Sequence, residues 1–357
     1  SAFEDYIRGT SATTPEERIQ RLQSAVQLDP NYDAALLELG KAQFAGRDYD
    51  AAAQTLARIS HTNRRALEAN FYIGLACFNS AKYAQAESAF AFVASRLPLP
   101  EVVNNQAVAA SRQGHNAVPL FQRASNADPN DPDYRYNLAV ALLRQGDFAG
   151  AQREVNETLK LRPSDNEAAQ LKTMIASGQK ITTPSAAAAS DPTAATASAF
   201  EPLERIRRTY SEASFRQAAF QIDQMRAMRM ASLPKSEQAA QYSQLGRGYL
   251  AQGLIPEAEQ EFQTALTADP SSAEAHAGLA HIREYTGNLT DARTEADASL
   301  KLHPNVEAYL VLARLELQAR QMDASAADVS NALKIDPQNS AALGMKQALK
   351  AQGKTLP

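Results

Sequence analysis

Paired apolar and small residues recur along the chain at a long, nearly constant interval. Leu39-Gly40 returns as Ile73-Gly74, then as Gln106-Ala107 and Leu138-Ala139, at spacings of 34, 33 and 32 residues. The signal reappears as Leu245-Gly246, Leu279-Ala280 and Leu312-Ala313, spaced 34 and 33 apart, so a second array follows the first. Downstream of each pair stands another small residue: Ala52, Ala86, Ala117, Ala151, Ala258, Ala292 or Ser325. A small side chain there lets a second helix pass close to the first, so each repeat is predicted to be two helices. Most units close on a proline, as at Pro30, Pro98, Pro129, Pro163, Pro270, Pro304 and Pro337. Proline ends the second helix by removing a donor and restricting the residue before it.

In the clearest unit, residues 239–270, Leu245-Gly246 lies on the first helix and Gly253 at the turn, followed by Ala258, Phe262, Ala265 and Pro270. This pattern resembles the tetratricopeptide repeat (TPR) family. The resemblance implies an all-α fold, a TPR α-solenoid in which helix-turn-helix repeats wind into a right-handed superhelix. Seven units fit, and two, 2–30 and 201–234, are degenerate. The aromatic that the family places early in the first helix is mostly absent, since Leu36, Asn70 and Val103 stand there.

Residues 181–199 break the array. They carry one charge, no aromatic and no helical period, and read as an Ala/Ser/Thr/Pro linker that would span about 25 Å if flexible. Single amphipathic helices are expected at 166–179 and 338–353, where they would cover the apolar face left by a terminal repeat. The expected organisation is therefore an arm of about five repeats plus a capping helix at 1–180, the linker, and an arm of about four repeats plus a capping helix at 200–357. Proteolysis is expected to cut the linker and release two folded arms.

The concave face of such a solenoid is lined by the first helix of each repeat. The inward positions that the resemblance implies for the first arm are Leu37, Lys41, Phe44, Phe71, Leu75, Phe78, Asn104, Val108, Tyr136 and Val140. This is an apolar groove, suited to a partner segment that buries side chains; alternatively it is covered by the other arm, by the first repeat or by a flanking domain. Asn105 and Asn137 fall at the same repeat position, where an amide offers an extended backbone both a donor and an acceptor. The second arm instead stacks Arg247, His281 and Arg314 one repeat apart, with Gln244 and Tyr285 beside them. That ladder suits an acidic peptide or carboxylate, unless Glu274, Glu284 and Glu307 neutralise it. The run from Met225 to Met230 holds three of the six methionines. Phe215, Ala218, Ala219, Ile222 and Met225 form a helical stripe expected to be core, with Met230 off it.

Composition narrows the function. Lys and Arg total 36 against 40 Asp and Glu, a net charge of −4, the wrong sign for a general nucleic-acid binder. Gly (15) and Pro (17) together make up about 9% of the 357 residues against an average near 12%, in keeping with helix. No apolar run approaches the ~18 residues of a membrane span, so no membrane insertion is expected. Cys77 is the single cysteine, which excludes an intrachain disulfide and a thiolate zinc cluster. His276 and His281 are five apart and do not share a helix face, and no phosphate-binding glycine loop or Gly-x-Ser-x-Gly occurs. The expected protein is thus not an enzyme and takes no cofactor or metal. It is an interaction scaffold for a protein or peptide partner or, alternatively, a structural or regulatory module of a longer protein, with a homo-oligomer as one form. The opening Ser1-Ala2-Phe3-Glu4-Asp5 has neither a basic nor an apolar targeting segment, and reads as the start of a processed or excised piece.

Overall fold

A computed structural model describes residues 1–181 and 200–357, so the expected linker lies outside the described residues apart from Ile181. Among the described residues there are nineteen α-helices and no strand. The chain divides into two compact units, Ala2–Gln224 and, Ser1 aside, Met225–Pro357.

The first unit holds five helix pairs: α1 (Ala2–Ser11) with α2 (Pro15–Leu28), α3 (Asp33–Ala45) with α4 (Tyr49–Leu56), α5 (Ala66–Asn79) with α6 (Tyr83–Ala94), α7 (Pro100–Arg112) with α8 (Val118–Ala127), and α9 (Pro132–Arg144) with α10 (Phe148–Leu161). A single helix, α11 (Asn166–Ala176), follows. Residues 200–211 are non-helical and lead into α12 (Glu212–Ser232), within which the division between units falls. The second unit holds three pairs and a single helix: α13 (Lys235–Ala251) with α14 (Ile255–Ala268), α15 (Ala273–Tyr285) with α16 (Leu289–Leu302), α17 (Val306–Gln318) with α18 (Met322–Ile335), and α19 (Ser340–Ala351).

Local chemistry sets these boundaries. Side chains of Thr14, Asp48, Asp131, Asp147 and Asp165 in the first unit, and of Ser272, Asn288, Asn305 and Asn339 in the second, accept from backbone N–H groups in the first turn of the helix that follows. These caps satisfy donors the helix leaves open. The turn inside a repeat needs a left-handed residue. Gly253 supplies it at φ 76°, as expected, while Arg47, Ala81 and Arg320 adopt φ of 63°, 56° and 61° in repeats without the glycine and carry the steric cost of a Cβ there.

Within a pair and between successive pairs, small residues admit large ones. Phe262 on α14 is fully buried, and a Cβ at Gly246 or Gly278 would lie 2.9 Å or 2.3 Å from its ring. Gly278→Ala is therefore expected to destabilise the second unit by about 1–3 kcal/mol through overpacking. Urea unfolding of the full chain measures it, and an unchanged midpoint would refute the account.

Two expectations fail. The degenerate unit 201–234 is not a helix pair. Its opening third, 201–211, is non-helical and packs with the first unit together with the start of α12, so the second unit has three pairs rather than four. The expected arm 200–357 thus differs from the compact unit Met225–Pro357. The α12 stripe is also core only in part. Phe215 is buried and Ala218 and Ile222 pack beside it, but Met225 is 60% exposed. Met230, expected off the stripe, is half-buried.

Candidate functional site

The first helices α5, α7 and α9 carry the inward positions read from the sequence, and residues 200–211 cross them. Phe200 packs on the cluster built around Tyr136 and Val140 of α9. Ile206 reaches the clusters holding Val102, Val103 and Val108 of α7. The Tyr210 ring packs at a tilt against Phe71 of α5, ring centroids 4.9 Å apart, and edge-to-face with Tyr72 at 6.1 Å. Pro202 and Glu204 are buried while Leu203 between them is exposed, the period-two alternation of an extended chain.

Three asparagines hold that chain by its backbone. Asn137 accepts the Arg205 N–H at 2.6 Å and donates to the Arg205 carbonyl at 2.8 Å. Asn105 accepts the Arg207 N–H at 2.7 Å and donates to the Arg207 carbonyl at 2.6 Å. Asn104 adds a bond to the Arg205 carbonyl at 3.0 Å, and Asn137 also donates to Asn104 at 2.8 Å. All three side chains lie on fully buried residues. Alternate residues of an extended chain present their backbone groups on the same edge, which is why asparagines on two successive repeats meet Arg205 and Arg207.

The side chains of the segment find matched seats. Glu204, 3% exposed, accepts from the Ser111 hydroxyl, from Arg112 at 2.7 Å and from Arg144 at 3.2 Å. Arg205 forms a bidentate pair with Asp165 at 2.8 and 2.9 Å, reaches Asp133 and Glu167 at 2.8 Å, and lies 3.7 Å from the Tyr136 ring centroid. Arg207 pairs with Asp131 and with Asp133, the latter at 3.3 Å, and lies 5.0 Å from the Tyr134 ring. Asp131 and Asp165 also cap α9 and α11, so one carboxylate serves both helix and segment. The Tyr210 hydroxyl donates to Glu68, and the Ser211 N–H donates to Glu101 at 2.8 Å.

These contacts set the electrostatics. The Arg205 hydrogen bond holds the Asp165 carboxyl below the usual range against the cost of its burial. Asp133 is likewise held low, its burial outweighed by Arg162 and Arg205. Burial, reinforced by Glu68, pushes the Tyr210 phenol far up, and burial, opposed by Arg207 and Arg205 and aided by nearby carboxylates, does so for Tyr134 and Tyr136.

The remaining inward residues of the first unit divide. Phe71, Leu75, Val108, Tyr136 and Val140 are buried, as is Leu37, which belongs to the cluster around α2, α3 and α4. Phe44 is half-buried against Tyr49 and Tyr72, and Phe78 is half-buried against Tyr83. Lys41 pairs with Glu68 at 3.2 Å and with Glu38 at 3.5 Å.

In the second unit the cationic ladder is paired. Arg247 lies 3.1 Å from Glu274, His281 lies 3.4 Å from Glu307, and Arg314 makes two bonds of 2.6 Å to Glu284. These are the three carboxylates weighed in the sequence as partners of the ladder. Tyr285 is 73% exposed. Gln244 borders a cavity of about 710 Å³ with Leu245, Tyr249, Arg226 and Met230. Asp328, half-buried near Glu316, is pushed up to about 7 by burial and by that neighbouring carboxylate. Cys77 is buried, and burial pushes its thiol up.

Sequence reasoning missed Glu204, Arg205, Ile206, Arg207 and Tyr210 because 201–234 was assigned to a repeat. A signal was available: Leu203 to Tyr210 contains none of the small residues that mark the first helix of each clear unit, and it carries three arginines, Arg205, Arg207 and Arg208, within four residues.

No curated protein matches the chain. Among solved structures it is similar to MamA, at 17% identity over 42% of this chain and 89% of that one, with a TM-score of 0.39. YrrB, described as a TPR protein with an unusual peptide-binding site, is 14% identical over 47% of this chain and 88% of its own, with a TM-score of 0.42. A tetratricopeptide repeat protein from Parabacteroides merdae is 10% identical over 98% of both chains, with a TM-score of 0.29. Family models described as tetratricopeptide repeat match residues 15–72 and 109–175 in the first unit, and 243–284 and 278–340 in the second. With helix pairs throughout both matched regions, the chain belongs to the tetratricopeptide repeat family, as a multi-repeat helical scaffold for protein interaction.

Proposed function

We propose that the chain is a non-catalytic scaffold that binds protein or peptide segments along the concave faces of its repeats. The observation that carries this reading is the pairing of Asn105 and Asn137 with both main-chain groups of Arg207 and Arg205. A side chain that satisfies the donor and the acceptor of one residue recognises backbone, and so accepts an extended segment whatever its origin. Because the segment held is the chain's own, a second reading is favoured alongside: the first groove acts as an intramolecular clasp, and the inward face around Arg247, His281, Tyr285 and Arg314 is the one presented to a partner.

Hydrogen exchange on the full chain tests the grip. The Arg205 and Arg207 amides are expected to exchange roughly 100-fold more slowly than in an unstructured peptide, and to lose that protection in Asn105→Ala/Asn137→Ala. Unprotected amides in the unaltered chain would sink the reading.

A further inference from the structure

The seats around residues 204–210 specify more than backbone. Glu204 enters a basic seat made by Arg112, Arg144 and Ser111. One residue on, Arg205 enters an acidic seat that includes Asp165 and Asp133, floored by the Tyr136 ring. Ile206 meets an apolar surface. Arg207 returns to acid at Asp131, and Tyr210 ends in an aromatic seat with a carboxylate to receive its hydroxyl. Leu203, Arg208 and Thr209 are exposed and leave their positions unspecified. A register shift of one residue would set Glu204 against Asp165 or Arg205 against Arg144, so the alternation of charge fixes both sequence and register.

We propose that the first unit's groove recognises, in a partner protein, an extended segment of the pattern Glu-Arg-aliphatic-Arg-x-x-Tyr, and that residues 204–210 are the resident competitor such a partner displaces. This rests on the reading that the groove binds segments. The resident segment follows α11 on the same chain, and tethering at that range gives an effective concentration of the order of millimolar. A free segment of equal intrinsic affinity is therefore outcompeted, and only a tighter or multivalent partner, or loss of the resident contacts, gives access.

The test uses a fluorescent synthetic peptide of residues 200–211 and the full chain, unaltered and as Glu204→Ala/Arg205→Ala, which vacates the seats without altering the groove. Anisotropy is expected to show binding on the order of 100-fold tighter to the double variant than to the unaltered chain. Binding should be abolished when the peptide's Glu and first Arg are exchanged, and when Asn105→Ala/Asn137→Ala is added to the double variant. Far-UV circular dichroism checks folding, and Tyr210→Ala serves as a gentler second release variant should the double variant unfold. If a released groove takes the exchanged peptide equally well, the recognition pattern falls while the groove reading stands. If folded released chains bind no peptide at all, the groove reading falls with it. Equal binding to the unaltered and released chains would overturn the resident competitor.

Discussion

Replacing Glu204 by alanine is expected to detach the segment that fills the first groove and to speed tryptic cleavage after Arg205 and Arg207 by roughly 100- to 1,000-fold. The Glu204 side chain has no solvent exposure, and Arg112 and Arg144 beside it are 11% exposed. Removing one member of such a buried set costs about 3–5 kcal/mol, because the partners stay desolvated without their counter-charge. Detachment caps the loss, since the two arginines regain water once the segment leaves, so the effect is read as opening of the segment rather than unfolding of the repeats. A protease that needs several residues of free backbone reports the open population directly when closing is fast. Arg112 and Arg144 also hold the carbonyls of Glu204 and Pro202, at 3.0 Å each, so the loss of the carboxylate loosens the backbone on both sides of it. Glu201→Ala, at an exposed position, is the control and should leave cleavage unchanged. Equal cleavage rates for Glu204→Ala and the unaltered chain would show that the buried carboxylate does not hold the segment.

The repeats were legible because their signal is steric and local. Close approach at Gly74 and Phe90, or at Gly246 and Phe262, permits only a small residue, and that requirement recurs with the period. The proline stops and the turn at Gly253 follow from backbone geometry in the same way. The groove was half legible. Phe71, Val108 and Tyr136 could be placed on inward faces from repeat position alone, and Asn105 and Asn137 could be matched to an extended backbone. What fills the groove was not, because its contacts join residues about 40 to 140 positions apart, such as Arg205 with Asp165 and Tyr210 with Glu68, and no local period records them. The stripe on α12 misled for a related reason: Phe215, Ala218 and Ile222 pack into the first unit, and Met225 continues the period after that packing surface has ended.

A single cut between residues 182 and 199 is expected to leave the two pieces bound at neutral pH and to let them part on acidification. The sequence alone predicts two released arms. Residues 200–224 nevertheless belong with the first unit while remaining joined to the second piece, through the asparagine clamp, the Glu204 and Arg205 seats, the buried Phe215 and the Arg64–Asp223 pair at 3.1 Å. Asp165 and Asp133 are both held below their ordinary value when Arg205 is seated. A carboxyl depressed in the bound state contributes fully above its unbound pKa, near 4, and loses that contribution as pH falls through its lower bound-state value. Docking should therefore be constant from neutral pH down to about 5 and weaken progressively below about 4. Both carboxylates sit largely out of solvent, with side chains 5% and 19% exposed, so added salt should shift this midpoint far less than it would for surface pairs. Size-exclusion chromatography of the cut chain across the pH range measures the separation, with far-UV circular dichroism confirming that the helices persist. In Arg205→Gln the acid step should shrink, because one of the two cations that depress both carboxyls is gone and the other, Arg162, lies outside the docked segment. Pieces that separate already at neutral pH would mean the segment does not dock in the groove; pieces that stay together at low pH with intact helices would mean the Arg205 carboxylates do not hold it there.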